Sequence, residues 1–164
     1  MMPQIDSLLP LLGEVRGIVD ADMALTTELD SLMDLRLNTL NLALKISGDS
    51  LQLLDNETFR TIAKWMLFKK KDRNLIDHMD VELAIHDGFI DLYPFIFDMD
   101  RYRLGVRGSN DANFNLNYHV AVIKSPIPFK FGINIKGTPE KMKIRLGKAR
   151  INEKTVAESR RLTD

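Results

Sequence analysis

Apolar and polar residues alternate along most of this chain, most clearly from Asn115 to Arg150. There Phe114, Leu116, Tyr118, Val120 and Val122 share one phase. Phe129, Phe131, Ile133 and Ile135 share the next, and Met142, Ile144 and Leu146 a third. Prolines mark the breaks: Pro126 and Pro128 between the first two runs, Pro139 between the second and third. A period of two with one apolar and one polar side is the pattern of an antiparallel sheet with one buried and one wet face.

The same period recurs upstream. Val15 to Asp30 reads as one extended segment, followed by a link at Ser31–Asp34 and a second run from Leu35 to Ser47. Gly48-Asp49 reads as a hairpin turn into a short return strand, Leu51–Leu54. Downstream, Leu75–His86 meets Phe89–Phe97 across Asp87-Gly88, a strong hairpin dipeptide. Asp98-Met99-Asp100 turns into Tyr102–Arg107, and Gly108-Ser109-Asn110-Asp111 turns into Phe114–Ile123. Turn signals at such spacing predict a meander rather than βαβ units.

One segment breaks the period. Asp55-Asn56-Glu57 supplies a cap and an acidic first turn, and Phe59, Ile62, Ala63 and Met66 then fall at helical spacing. Lys69-Lys70-Lys71 closes the segment with cations where a helix dipole favours them. Trp65 and Phe68 lie off the main stripe and read as packing residues. The residues from Asn152 to Asp164 are polar and fit either a short helix or a frayed end. The expected fold is α+β and mostly β: a curved antiparallel meander with one main helix, about 55–70, packed on it.

The chain has 164 residues, enough for one domain with a core. Its 23 basic and 23 acidic side chains cancel, which argues against a nucleic-acid binder. The balance conceals an asymmetry: residues 1–60 carry 10 acidic and 4 basic side chains, residues 61–164 carry 13 and 19. There is no cysteine, hence no disulfide and no thiolate chemistry. No run approaches the ~20 apolar residues of a membrane span. The start, MMPQIDSLLPLLGE, lacks the basic and apolar regions of a signal peptide, and its doubled Met suggests a domain cut from a longer protein.

Catalytic chemistry is not readable. His78, His86 and His119 lack metal-pair spacing, and the phases of His86 and His119 predict solvent exposure. Gly132–Thr138 imitates a phosphate loop but has no lysine after its second glycine. Asp20/Asp22 and Asp98/Asp100 fall in polar phases or turns, where solvated acids are expected. The sequence therefore predicts a non-catalytic protein without cofactor or metal. What stands out is one-sided apolar surface. A helix of about four turns covers a stripe about 10 Å across, less than the width of five or six strands. Either the sheet covers itself or another apolar partner does.

Two stretches resemble the C-terminal region of AsmA-like proteins, particularly of the Bacteroidetes type: RNLIDHMDVELAIHDGFIDLYPFIFDMDRYRLGV at 73–106 and NYHVAVIKSPIPFKFGINIKGT at 117–138. The preceding WMLFKKK is similar to that family's pattern too. The resemblance covers about two-thirds of the chain. It implies a single domain over 1–164, a piece of a periplasmic protein anchored in the inner membrane by a segment absent from this chain, with kinship to TamB-like and β-groove lipid-transfer proteins. It implies phospholipid transport or outer-membrane assembly, with acyl chains and envelope proteins as partners and no catalytic residues. On that expectation Phe114, Leu116, Tyr118, Val120, Phe129, Phe131, Ile133 and Ile135 form the apolar wall. The competing expectation is a structural module whose sheet is fully self-covered and whose edges pair with neighbouring repeats.

Overall fold

The computed structural model describes residues 15–34, 36, 39–53, 75–99, 101–111, 113–126 and 128–160. These form one open sheet, and the chain is α+β and mostly β. The strands are β1 (Val15–Arg16), β2 (Val19–Thr26), β3 (Asn41–Leu53), β4 (Leu75–His86), β5 (Phe89–Met99), β6 (Tyr102–Asp111), β7 (Leu116–Lys124), β8 (Phe131–Gly137) and β9 (Lys143–Gly147). A 3₁₀ turn, Pro139–Lys141, precedes β9, and helix α1 (Glu153–Arg160) follows it. From β3 to β9 each strand pairs with its sequence neighbours, while β1 and β2 both lie on the outer side of β3. All pairings are antiparallel. The helix expected over 55–70, with Trp65 and Phe68, lies outside the described residues.

Side chains directly opposite each other share a face, so the ladders can be followed across the sheet. One row runs from edge to edge: Met23, Leu44, Leu83, Leu92, Gly108, Tyr118, Ile135 and Ile144. Seven of the eight are apolar or aromatic side chains. The exception, Gly108, is roofed by the ring of Tyr118, and a Cβ there would collide with it. The Tyr118 hydroxyl donates to Asn110 Oδ1 at 2.7 Å, and both residues are buried. That bond satisfies two polar groups inside an apolar face, where leaving them unpaired would cost about 1–3 kcal/mol. Burial, with the charge of Asp91, pushes the Tyr118 phenol up to about 12.

Several glycines and turns differ from expectation. Val15–Asp30 is not one strand: it breaks between β1 and β2 at Gly17, where a Cβ would lie 2.5 Å from Leu51 Cδ2. Gly48-Asp49 is not a hairpin but the middle of the 13-residue β3. Gly48 pairs with both Val19 and Met79, and a Cβ on it would crowd Leu51 Cδ2 at 2.9 Å. The local irregularity comes later, at Ser50, whose φ is 53°. The ladder skips Ser50 and Asp77, and burial changes phase there, so that Leu51 and Ile76 join the core. Gly108–Asp111 likewise belongs to β6, and the turn follows it. There Asp111 Oδ1 accepts the N–H groups of Asn113 and Asn115, each at 2.9 Å. In β5 the register shifts between Leu92 and Phe95, around Tyr93-Pro94, which moves Phe95 and Met99 into the core phase. The Asp87-Gly88 hairpin is as expected, with φ of 50° and 76°.

The second face, the polar phase of the strands, is crossed by the C-terminal tail. Gly132 of β8 lies under the Lys148 carbonyl, and a Cβ at Gly132 would strike it. The Arg150 N–H donates to His119 Nε2 at 3.1 Å. Ile151 is buried against Gly105 of β6, where a Cβ would meet its Cγ2 at 2.8 Å. Asn152 then caps α1: its Oδ1 accepts from the Thr155 N–H at 3.0 Å and from the Thr155 hydroxyl at 3.1 Å. Glu153 pairs with Arg103 at 3.4 Å, and Ser159 sits near Asp80, Glu82 and Tyr93. The tail thus runs from β8 to the β4–β5 region as a strap. Of the two expectations for residues 152–164, the short helix is the one observed over 153–160.

Gly132→Val should destabilise the protein by about 1–3 kcal/mol, because the neighbour that must move is backbone. The check is urea denaturation beside Gly88→Ala. That site has open space around it and only the positive φ opposes a side chain, so a loss of about 1 kcal/mol is expected.

Candidate apolar site

The eight wall residues named from the sequence do not form one open surface. Tyr118, Val120, Ile133 and Ile135 are buried in the core, and Leu116 and Phe131 are partly buried against it. Phe114 precedes β7, in the turn held by Asp111, with φ 57°. It is half-buried and is not a strand residue as expected. Phe129 lies before β8 and is 61% exposed, its ring centroid 6.1 Å from that of Phe131. The wall is therefore mostly core, and of its members Phe129 alone is largely in solvent.

Sequence reasoning missed the sheet's lateral edges. A second apolar row, Val106, Val120, Ile133 and Leu146, ends at Leu146, which is 56% exposed. At the opposite edge Val19, Met23 and Leu25 extend the same apolar face, and Met23 is 62% exposed. The apolar face is thus dry in the centre and open at both sides. The alternation of β2 carried this signal in the sequence. Which strand would be outermost was not written there.

The polar groups offer little chemistry. Among the described residues no group of three or more His, Asp or Glu side chains is arranged to hold a metal. Asp20 and Asp22 are exposed, as expected for solvated acids. His86 is exposed and bonds Asp91 at 2.8 Å. His119 departs from expectation: it is in the polar phase yet only 6% exposed, because the tail covers it. Its Nδ1 donates to Asn134 Oδ1 at 2.8 Å, leaving Nε2 as acceptor for Arg150 N–H. Burial holds its pKa below the ordinary histidine value. The Asn134 bond opposes that shift, and the charges of Arg107 and Arg150 add to it. Among the described residues no helix is long and apolar enough to cross a membrane.

No family model, curated protein or solved structure matches this chain.

Two outcomes distinguish core from open surface. Ile133→Asp places a charge at a site with no exposed area and should abolish folding. Phe129→Asp should leave the circular dichroism spectrum unchanged and shift stability by less than about 1 kcal/mol.

The sign of the pH effect follows from His119. Its neutral form is favoured in the folded state, so its contribution is full above the ordinary value of 6.5 and is lost as pH falls through the lower native pKa. His78 acts oppositely: hydrogen bonds from its ring to the Asp49 and Asp80 carboxylates raise it, so its contribution fades as pH rises through the native value. Stability measured from pH 7.5 to 5 should fall more steeply for the native chain than for His119→Gln.

Proposed function

We propose that this chain is an AsmA-like lipid-handling domain, non-catalytic, whose apolar sheet face receives phospholipid acyl chains. The observation that carries the reading is the run of apolar rows from a dry centre to uncovered residues at both edges, Val19, Met23 and Leu25 on one side and Leu146 on the other. An acyl chain laid along either edge would continue a row the protein has already begun. Each CH₂ so buried contributes about 0.8 kcal/mol. The head group would stay at the wet rim.

Support also comes from the placement of the resembling stretches, which fall on β4–β6 and on β7–β8, the centre of the sheet. In this reading the domain belongs to a periplasmic protein held in the inner membrane by a segment outside this chain. It takes part in phospholipid transport between membranes or in outer-membrane assembly, alongside other envelope proteins. The role is passive, with neither turnover nor cofactor. Phe129, beside the β7–β8 connection, and Leu146 on β9 are the side chains expected to touch lipid first. The buried Tyr118, Val120, Ile133 and Ile135 would support that surface from within.

Native mass spectrometry after gentle purification tests this directly. Near-stoichiometric phospholipid is expected on the native chain, with a several-fold loss for Met23→Asp combined with Leu146→Asp while the fold is retained. A clean apo mass, together with no binding of a fluorescent fatty acid, would overturn the reading for this domain.

A further inference from the structure

The two lateral edges of the sheet are opposite in charge and alike in apolar pattern. Residues 15–34, which hold β1, β2 and the turn after them, carry five acidic side chains and one basic. Residues 124–150, which hold the end of β7 through β9 and the start of the strap, carry eight basic and one acidic. On β2, Asp20 and Asp22 lie on the second face and Val19, Ala21 and Met23 on the apolar face. On β9, Lys143 and Arg145 lie on the second face and Ile144 and Leu146 on the apolar face. Among the described residues no strand pairs with the outer side of either β2 or β9. Every residue of β2 is exposed, as is most of β9.

Strand direction adds an independent condition. Seven antiparallel pairings separate β2 from β9, an odd number, so the two edges run in opposite directions. A copy displaced sideways without rotation therefore brings its β2 antiparallel to β9 of the first, with the apolar faces on the same side. We propose that copies of this chain join head to tail by β2–β9 pairing, in the register that sets Lys143 beside Asp22 and Arg145 beside Asp20. The same register places Ile144 beside Ala21 and Leu146 beside Val19. It gives the unpaired backbone groups of both edges hydrogen-bond partners.

The charges select this arrangement over its rivals. Pairing β9 with β9 sets Lys143 and Arg145 against like charges, and pairing β2 with β2 does the same for Asp20 and Asp22. Like charges directly opposite are unfavourable in a sheet. The contact is thus between two different surfaces, which generates chains of copies rather than a closed two-fold dimer. The inference does not rest on lipid binding, since it uses only the edges and their charges.

The test is sedimentation of the purified chain with two double variants, Asp20→Lys/Asp22→Lys and Lys143→Glu/Arg145→Glu. The native chain should associate with increasing concentration, at least tenfold more weakly in 1 M salt than in 0.05 M. Each variant alone should be monomeric, since both of its edges then carry the same charge. An equimolar mixture should regain association as alternating copies, since every edge of one variant is opposite in charge to the edge it meets on the other. Because the chain has no cysteine, Ala21→Cys and Ile144→Cys on separate copies should cross-link selectively under mild oxidation. A native chain that stays monomeric at every salt and concentration up to about 0.5 mM would overturn the inference. So would association that both variants leave intact. Loss of binding to anionic vesicles by the Lys143→Glu/Arg145→Glu variant, with self-association unchanged, would also overturn it and assign the basic edge to a membrane surface.

Discussion

The register of the sheet is the constraint on which the rest of this structure depends. Because successive side chains in a strand point to opposite faces, a slip of one residue between any two strands would turn an apolar row into a polar one. Eight strands here keep a single row in line from Met23 on β2 to Ile144 on β9. Where the chain does slip, it does so in compensated places. The irregularity at Ser50 faces Asp77 on the neighbouring strand, so Leu51 and Ile76 change phase together and both remain in the core. The shift at Tyr93-Pro94 lets Phe95 and Met99 follow Ile90 and Leu92 onto the same face.

The second face is organised differently. Its strands carry polar side chains, and a polar sheet needs no cover, yet the C-terminal strap lies across it. What lets the strap approach is the absence of side chains at Gly132 and Gly105, where backbone and Ile151 come too close for a Cβ. What fixes it is His119, held by Asn134 on one nitrogen and by the Arg150 N–H on the other. Protonating that ring would put a hydrogen where the Arg150 N–H now points, so the strap and the neutral state of His119 stabilise each other. Local alternation predicted an exposed histidine. Burial came from a segment 31 residues further along the chain.

That contrast shows which kinds of information a one-dimensional pattern holds. The strands of the centre and their phases were readable because alternation is local, and Asp87-Gly88 was readable because the turn needs those residues at those φ values. Gly48-Asp49 and Gly108–Asp111 read as turns for the same reason and are not turns. A glycine in a strand can answer a neighbouring side chain instead, Leu51 for Gly48 and Tyr118 for Gly108. Of the candidate wall, the phases of Leu116, Tyr118, Val120, Phe131, Ile133 and Ile135 were readable, and their depth was not. Depth depends on position across the sheet, and strand order is a property of the assembled fold.

The edges are where the two proposed roles meet, and they make different demands on the same side chains. Lipid along an edge needs Val19, Met23 and Leu146 left open, whereas a second copy seated there would bury Val19 and Leu146 against each other. The charged partners Asp20, Asp22, Lys143 and Arg145 lie on the second face, away from any acyl chain on the apolar one. Charge on the second face can therefore govern how copies meet without itself touching what the apolar face binds. Joined copies would also change the apolar face itself. Rows that now stop at Met23 and Leu146 would run on into the next sheet, and the apolar surface left open would lie over the interior of a longer strip rather than at two separate margins. An even number of strands on the path from β2 to β9 is what makes such a continuation antiparallel throughout. One strand more or fewer would have forced a parallel joint or a reversal of faces.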